Sequence, residues 1–423
     1  MKANIWKRFG PGFLLAATSI GASHLVMSPQ AGALFGFHLL WLVVVSHLFK
    51  FPAFECGPRY AAATGKNLLH GYATVPGPRS WALYIFLVGT VLQGIGVLAG
   101  VVNVSGCVLA SWFQQAQSTA IFSLIVLVIV VLLLIVGGFS WLDHLNKVMM
   151  VILALATVLA FIPVMPSPSE LSHLVIPSLP EGSIILVAAI LGWMPTGIDV
   201  SIWHSFWTLE KLGQLGEKGD NGTIADRVRR LKMSITDMRV GYALSFLTGI
   251  MFVTLGVKHL SGMGAELKGI QFAEAISTAY TAIFGRWMYH VFMLTAFFAM
   301  FSTSYVVVDG FSRSFSEALA VISNPLSGDR NRKKTYWGFI IGSVLLAAVT
   351  ILWIGNPVTL VLIVSLVSLA IAPLLYGLNL YCVRRDITDP ELKPAGATIV
   401  IGWLGVIFMI LALAVTVYVK LIK

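Results

Sequence analysis

Charged residues are scarce in this sequence. Only 11% of its 423 residues are Asp, Glu, Lys or Arg, 57% are apolar, and the mean hydropathy is +0.87. A soluble domain carries about 25% charged residues. The deficit excludes an ordinary soluble globular protein and indicates a chain that lies in a lipid bilayer.

Cysteine and the familiar catalytic motifs are also lacking. The three cysteines, Cys56, Cys107 and Cys382, are far apart and each lies in an apolar run, which excludes a disulfide framework and a CxxC metal site. A membrane enzyme would need a clustered nucleophile and base or an HExxH pair, and the sequence contains neither. We therefore expect a protein that is not an enzyme and that binds no permanent cofactor.

Acidic residues are fewer than basic ones. The sequence has 18 Asp and Glu and 28 Lys and Arg, which gives a net charge of +10. In a soluble protein this excess would suggest a nucleic-acid partner. Here the basic residues gather in short loops between apolar runs, as membrane orientation signals do. The expected partners are the lipid bilayer and a small ion rather than a nucleic acid, and the oligomeric state is left open.

Apolar runs of about 20 residues, the length that crosses a bilayer as a helix, occur eleven times. The predicted spans are 10–36, 38–62, 81–111, 118–139, 145–164, 182–208, 234–258, 285–312, 336–355, 358–382 and 396–420. The sequence therefore predicts one all-α transmembrane domain over residues 1–423. The polar stretch 210–232 is predicted to be a cytoplasmic linker.

Two of these spans are interrupted. The sequence GASH at 21–24 breaks the first span, and MPTG at 194–197 breaks the sixth. Non-helical backbone at membrane depth is tolerated only where protein or a water-filled cavity supplies hydrogen-bond partners. Two Gly/Pro-interrupted spans in corresponding halves of a chain indicate the substrate site of a transporter with inverted repeats.

Several motifs resemble a known family. GPGFLLAA at 10–17, QAGALFGF at 30–37 and, after Arg59, ATGKN at 63–67 resemble the first two helices of the Nramp divalent-metal transporters. Met194-Pro195 is similar to the start of that family's MPH motif, and YVVVDGF at 305–311 resembles the end of its eighth helix. The resemblance implies a LeuT-type fold with inverted repeats at 1–164 and 182–382, an added helix at 396–420, and a metal site between broken helices 1 and 6.

The site motifs depart from the family pattern. Where the family has the Asp and Asn of DPGN, this chain has Gly21 and His24, and the family His of MPH is Thr196 here, although Met194 is kept. The tenth span keeps Pro373 but has no glutamine. The resemblance therefore implies the family scaffold with an altered metal site.

A divalent cation at this depth needs charge compensation. Asp199 is the only acid deep in the two broken spans, so it is the candidate replacement for the lost carboxylate. His24 and Met194 would add nitrogen and sulfur donors, a set suited to Mn, Fe or another transition metal. Further candidates for contacts with the substrate are the side chains of Ser23 and Thr196 and the backbone carbonyls near Gly21 and Leu191.

Proton transfer has few candidates. The third span, 81–111, contains no Asp or Glu, whereas the family carries acidic residues there for proton movement. His47 and His204 are possible proton carriers, although a packed histidine with a structural role fits the same pattern. We therefore expect weak proton coupling or none.

Two charged pairs at i, i+4 spacing fit a structural or gating role. Glu55 with Arg59 and Asp309 with Arg313 are placed to form ion pairs at the cytoplasmic ends of spans 2 and 8.

A different substrate class stays open. Without an acid at position 21, the half-helix that begins near Ser23 would present backbone N–H groups and a positive dipole end. That arrangement suits a small anionic or zwitterionic solute.

The membrane orientation gives a first prediction. With a cytoplasmic N-terminus, as in a multi-pass protein of a bacterial inner membrane, 21 Lys and Arg lie inside and five outside. Tags at the N-terminus and in 210–232 are expected to be protected from protease in right-side-out vesicles, and a tag at Lys423 is expected to be cleaved. The reverse pattern would refute this orientation.

Overall fold

The computed structural model describes residues 10–115, 118–136, 139–216, 223–262, 270–326 and 328–422, and the regular elements within these ranges are all helices. The N-terminal tag position, part of the 210–232 linker and Lys423 lie outside the described residues. The described chain is therefore all-α, as the sequence predicts.

Sixteen α-helices are described, with one π-helix, Ser23–Met27, between the first two. They are α1 Pro11–Ser19, α2 Ser28–Phe35, α3 Trp41–Thr64, α4 Leu68–Ala73, α5 Trp81–Trp112, α6 Thr119–Val136, α7 Phe139–Phe161, α8 Pro168–Leu171, α9 Ile184–Trp193, α10 Val200–Gln214, α11 Ile224–Leu260, α12 Ile270–Phe284, α13 Met288–Ile322, α14 Asp329–Ile354, α15 Pro357–Asp386 and α16 Gly396–Ile422. Short 3-10 turns are Gly36–Leu39, Ile162–Val164, Ser172–Leu174, Asn324–Leu326 and Pro390–Leu392.

Seven helices of the described chain are long and apolar enough to cross a membrane unaided, and each matches a predicted span. The other four predicted spans lie where the helix is bent, broken or short. The segments Pro11–Leu39 and Trp41–Thr64 form a pair bent by 98°, which makes eight candidates if the pair is one span. The fifth span has an apolar helical part, Val148–Val164, and the sixth is divided between α9 and α10.

The helices differ in how much of their apolar surface is buried. Most of the apolar stretch of α13 is buried, whereas α6, α14 and α16 expose most of theirs. Trp353 on α14 is 85% exposed, and Leu345 and Leu352 on the same helix are also exposed. Exposed apolar side chains are the expected lipid-facing surface of a membrane protein, so α6, α14 and α16 are outer helices and α13 is an inner one.

Small residues let the inner helices approach closely. The helix α11 packs along α1, α2 and α3, and α5 packs against α13 and α15. A Cβ added to Gly256 of α11 would lie 2.7 Å from Pro29 Cα, and one added to Gly32 of α2 would lie 2.7 Å from the Val257 nitrogen. Glycine at such crossings permits the backbone contact that drives association of helices in membranes.

Polar contacts fix the ends of α1 and α11. Asp237 of α11 accepts hydrogen bonds from the backbone N–H groups of Gly10 (3.3 Å) and Gly12 (2.7 Å), so it caps the start of α1. On the 165–181 loop, Glu170 pairs with Lys258 at the end of α11 at 2.7 Å. The hydrogen bond from Lys258 lowers the pKa of the Glu170 carboxyl to about 2.

The close approach of α2 and α11 gives a stability prediction. Gly256→Ala places a methyl group against the Pro29 backbone, so it is expected to lower the free energy of unfolding by about 1–3 kcal/mol. Gly342→Ala on α14 is the matched control, because nothing lies within 4 Å of its added Cβ and alanine favours the helix by about 0.5–1 kcal/mol. Thermal unfolding of both variants in detergent tests this, and equal melting temperatures would contradict it.

Candidate substrate site between the two helix breaks

The first break follows the end of α1. Thr18 and Ser19 donate their hydroxyls to the Leu15 carbonyl at 2.9 and 2.7 Å, a type of bond that competes with the helical ladder. The backbone turns at Ile20, with φ −79° and ψ 50°, and resumes as the π-helix. The hydroxyl of Thr303 on α13 lies 3.2 Å from the Ala17 carbonyl, which lies in the last turn of α1. The break is thus partnered from α13, as a break in a bilayer requires.

The second break separates α9 from α10. Met194 adopts an extended conformation, with φ −95° and ψ 127°, because a residue before proline is pushed out of the helical region. Pro195 has no N–H to continue the ladder. The last carbonyls of α9 and the first N–H groups of α10 therefore have no partners within a continuous helix.

Lys50 supplies partners for these carbonyls. It lies within α3 with 1% of its side chain exposed, and its Nζ donates to the Gly192 carbonyl at 2.9 Å and to the Thr196 carbonyl at 3.3 Å. The C-terminal end of a helix carries a partial negative charge, which favours a cation there. Lys50 is not among the site residues predicted from the sequence, although a lysine inside an apolar span is a signal for such a role.

Asp199 is placed at the opposite end of the break. It precedes the first residue of α10, is 5% exposed, and lies near enough to Lys50 for the two charges to interact. A carboxylate at the start of a helix meets the positive end of the helix dipole. Each end of the second break therefore has beside it a side chain of the sign that it favours, Lys50 of α3 at the end of α9 and Asp199 at the start of α10.

A cavity of about 30 Å³ lies between the two breaks. This volume holds about two water molecules or one ion, since a water needs about 10–15 Å³ of such space. Its lining combines hydroxyl, amide and carboxylate groups with two indole rings. These side chains belong to Thr18, Ser23, Gln93, Trp193, Thr196, Asp199, Trp203 and Thr303. Asp199 is the only acidic residue among the lining residues of this cavity.

A hydrogen-bonded chain fixes one wall of the cavity. The indole Nε1 of Trp193 donates to the Ser368 hydroxyl at 2.9 Å, which donates to Gln93 Oε1 at 2.5 Å. The chain joins α9, α15 and α5, so the wall next to the second break is rigidly held.

Three of the predicted site residues come together and four do not. Ser23, Thr196 and Asp199 line the cavity, whereas His24, Met194, Gly21 and Leu191 are absent from its lining. The expected convergence of His24, Met194 and Asp199 is therefore not seen in this conformation. The Gly21 carbonyl accepts from the backbone of Leu25 at 2.9 Å, and the carbonyls held at the second break are those of Gly192 and Thr196 rather than that of Leu191.

His24 is turned away because both of its ring nitrogens are engaged. Nε2 lies 2.8 Å from the Ser245 carbonyl and Nδ1 lies 2.8 Å from the Ser23 hydroxyl. Since a carbonyl only accepts, Nε2 carries the proton and Nδ1 accepts from Ser23. Its Nε2 and the methyl of Met194 both face Gly249 of α11, at 3.5 and 3.7 Å from the position of an added Cβ. These two side chains form a layer behind the cavity.

The two candidate proton carriers differ in their surroundings. His47 donates from Nδ1 to the Val43 carbonyl at 2.7 Å, and its Nε2 lies 3.1 Å from the Ser245 hydroxyl, which also lies 3.2 Å from His24 Nε2. His204 is fully buried, and neither ring nitrogen has a hydrogen-bond partner among the described groups. Only His47 is connected to the site by hydrogen bonds.

Both i, i+4 ion pairs are formed, away from the cavity. Arg59 binds Glu55 at 2.6 Å, and Arg239 on α11 approaches the second oxygen of Glu55 at 3.7 Å. Arg313 binds Asp309 at 2.7 Å, and Asp309 also accepts from the Tyr336 hydroxyl at 2.8 Å. These contacts tie α3 to α11 and α13 to α14.

No group of three or more His, Cys, Asp or Glu side chains that would hold a metal ion occurs in the part of the chain that the structure describes. A metal at the cavity would be held by one carboxylate together with hydroxyl and amide oxygens.

Comparison with known proteins identifies the family. The sequence profile of the Natural resistance-associated macrophage protein-like (Nramp) family matches residues 12–419. The chain belongs to the Nramp family. An uncharacterised protein of Pasteurella multocida is 26% identical over 422 residues, which cover 95% of this chain and 89% of that protein. The divalent metal cation transporter MntH of Klebsiella pneumoniae is 30% identical over 191 residues, only 43% of this chain and 44% of that protein.

Solved structures share the fold of this Nramp protein. A manganese transporter of Eremococcus coleocola superposes with a TM-score of 0.69 at 16% identity, covering 99% of this chain and 88% of that one. Mhp1, a transporter of the nucleobase-cation-symport-1 family, gives a TM-score of 0.58 at 14% identity, covering 97% and 92%. The expected all-α, LeuT-type fold of a multi-pass membrane protein is confirmed.

Proposed function

We propose that this Nramp-family protein is a secondary active transporter or uniporter that carries a divalent transition-metal ion, such as Mn²⁺ or Fe²⁺, by alternating access. The observation that carries the proposal is the cavity of about 30 Å³ between the two helix breaks, with the Asp199 carboxylate in its wall. A space of this size accepts an ion, and an acid at membrane depth marks an ion pathway.

The relatives support the substrate class. MntH is named as a divalent metal cation transporter and the Eremococcus coleocola protein as a manganese transporter. In the proposed site, Asp199 is the charged ligand, and Ser23 and Thr196 add oxygen ligands. His24, Met194 and the carbonyls of Gly21 and Leu191 would reach the ion only after the segment around the first break rearranges during the cycle.

The proposed mechanism uses the architecture expected from the sequence. We assign residues 1–164 and 182–382 to two inverted repeats and 396–420 to an added helix, with the N-terminus on the cytoplasmic side of a bacterial inner membrane. Movement of one repeat against the other would open the cavity to each side in turn. Glu55 with Arg59 and Asp309 with Arg313 are placed to hold the cytoplasmic ends during this movement.

A second candidate substrate is a small anionic or zwitterionic solute, and Lys50 is the observation that favours it. Its ammonium at the second break offers a partner for a carboxylate, while Asp199 offers one for an amine. Calorimetric titration of the purified protein with Mn²⁺ and with small amino acids separates the two candidates.

The charge of Asp199 gives the central prediction. Asp199→Asn keeps the volume and removes the charge, so Mn²⁺ affinity measured by calorimetry is expected to fall on the order of a hundredfold or more. Asp329→Asn, an exposed acid in the first turn of α14, is the matched control and is expected to bind as the unchanged protein does. Unchanged Mn²⁺ binding and uptake by Asp199→Asn would defeat the metal proposal and favour the anionic solute.

Proton coupling is expected to be weak or absent, because α5 has no carboxylate to pass a proton. Proteoliposomes that take up Mn²⁺ are therefore expected not to acidify inside, as measured with an enclosed pH dye. Strong internal acidification would contradict this prediction if it follows Mn²⁺ uptake and persists in Asp199→Asn.

A further inference from the structure

Gln93 lines the cavity but has no role in the proposed transport mechanism. It lies on α5 and is 3% exposed. The same helix contributes Val97 and Val101 to the cavity, so Gln93 is the only polar side chain among the lining residues from α5. What the α5 wall offers a substrate therefore depends on which end of the Gln93 amide faces the cavity.

The direction of the hydrogen bonds from Trp193 fixes the turn of this amide. An indole N–H only donates, so the Ser368 hydroxyl accepts from Trp193 Nε1 at 2.9 Å. A hydroxyl has one proton, and Ser368 donates it to Gln93 at 2.5 Å. The acceptor is the amide oxygen, because the amide nitrogen carries protons of its own. Oε1 of Gln93 is therefore directed at Ser368 on α15.

The nitrogen end of the amide is left for the cavity. Within the described residues, no acceptor binds Gln93 Nε2, although the side chain is buried. Buried N–H groups are paired with protein or with water, so an N–H2 group without a protein acceptor lies against a space that can hold one. The cavity is the space that Gln93 lines, so its two N–H groups are directed there.

N–H groups are no ligands for a cation, because their hydrogen atoms carry partial positive charge. In the proposed site, an ion has ligands on the side of the two breaks, in Asp199, Ser23 and Thr196, and none on the α5 wall. The amide oxygens that can reach it are then backbone carbonyls at the breaks. Ca²⁺ takes six to eight ligands, all of them oxygen, whereas transition metals are also bound by nitrogen and sulfur. A wall without oxygen therefore penalises Ca²⁺ most.

We infer that Gln93 is a specificity-determining residue of the transport site, whose amide presents N–H donors to the cavity and withholds an oxygen ligand. This inference rests on the proposed metal transport. Trp193 and Ser368 are positioning residues, since they act on the ion through the turn of the Gln93 amide. The site thereby disfavours ions that, like Ca²⁺, require oxygen on every side.

The alternative is that Gln93 binds the ion through its oxygen, and Gln93→Leu separates the two cases. Leucine has neither the donors nor the oxygen. Calorimetric titration of Mn²⁺ into the purified full chain is expected to give an affinity within about threefold of the unchanged protein. If the oxygen were a ligand, the affinity would fall about tenfold or more.

Gln93→Glu replaces only the N–H2 group by a carboxylate oxygen and keeps an acceptor for Ser368. It places on the α5 wall the ligand that the amide withholds. The affinity for Ca²⁺ is expected to rise at least about tenfold more than that for Mn²⁺, measured by direct titration and by competition. Because the Ser368 bond is kept, this variant also tests the inference if Gln93→Leu does not fold.

Trp193→Phe tests the positioning role. Phenylalanine has no N–H, so the Ser368 hydroxyl becomes free to accept from Gln93 Nε2, and the amide can turn its oxygen to the cavity. The affinity for Ca²⁺ relative to Mn²⁺ is expected to rise about threefold or more. The same substitution in Gln93→Leu is the matched control for altered cavity shape, and it is expected to leave this ratio unchanged.

The outcomes are distinguishable. A tenfold loss of Mn²⁺ affinity in a folded Gln93→Leu protein overturns the inference and makes the oxygen a ligand. Equal gains for Ca²⁺ and Mn²⁺ in Gln93→Glu, or no gain, also overturn it. A change of the ratio that is the same or absent in both Trp193→Phe proteins overturns the positioning role. If the unchanged protein and Gln93→Leu bind neither ion, the proposed function fails, and the inference with it.

Discussion

The need to satisfy backbone carbonyls inside a bilayer governs this structure. Each helix break leaves backbone groups without their helical hydrogen bonds, and inside a bilayer a broken helix is stable only if protein groups or water in a cavity replace those bonds. At the second break, the Lys50 ammonium binds the carbonyls of Gly192 and Thr196, and Asp199 stands at the start of α10. The groups that make the break possible are thus the groups that give the site its charge.

The two breaks are held from different sides. Around the second, the chain from Trp193 through Ser368 to Gln93 joins three helices. Around the first, His24 binds the Ser245 carbonyl of α11. Ser23 lies between the two, since its hydroxyl donates to His24 Nδ1 at 2.8 Å and its oxygen is 3.2 Å from the Pro195 carbonyl oxygen. The two breaks therefore approach each other at Ser23.

Glycine, proline and the length of apolar runs were sufficient to predict the helical class, seven of the eleven spans and both breaks. The other four predicted spans are less clear in the structure because the helix there is bent by 98°, divided by a break or short. A hydropathy scan measures the length of an apolar run and does not show where its helix bends or breaks. The ion pairs at i, i+4 were predictable because helical spacing alone brings their side chains together.

The direction of His24 was not predictable in the same way. The π-helix Ser23–Met27 bonds with i→i+5 spacing, so side chains within it do not follow the 3.6-residue period on which facing arguments depend. Met194 lies in extended backbone, where no helical period applies. Placing these residues near the break from sequence was possible, but the side of the break that they face is set by Gly249 and Ser245 on α11.

The charge that the site can accept follows from all its charged groups and not from one ligand. Asp199 alone favours a cation, and Lys50 alone favours an anion. Both side chains are buried at the same break, so a substrate there meets a carboxylate and an ammonium together and not one charge alone.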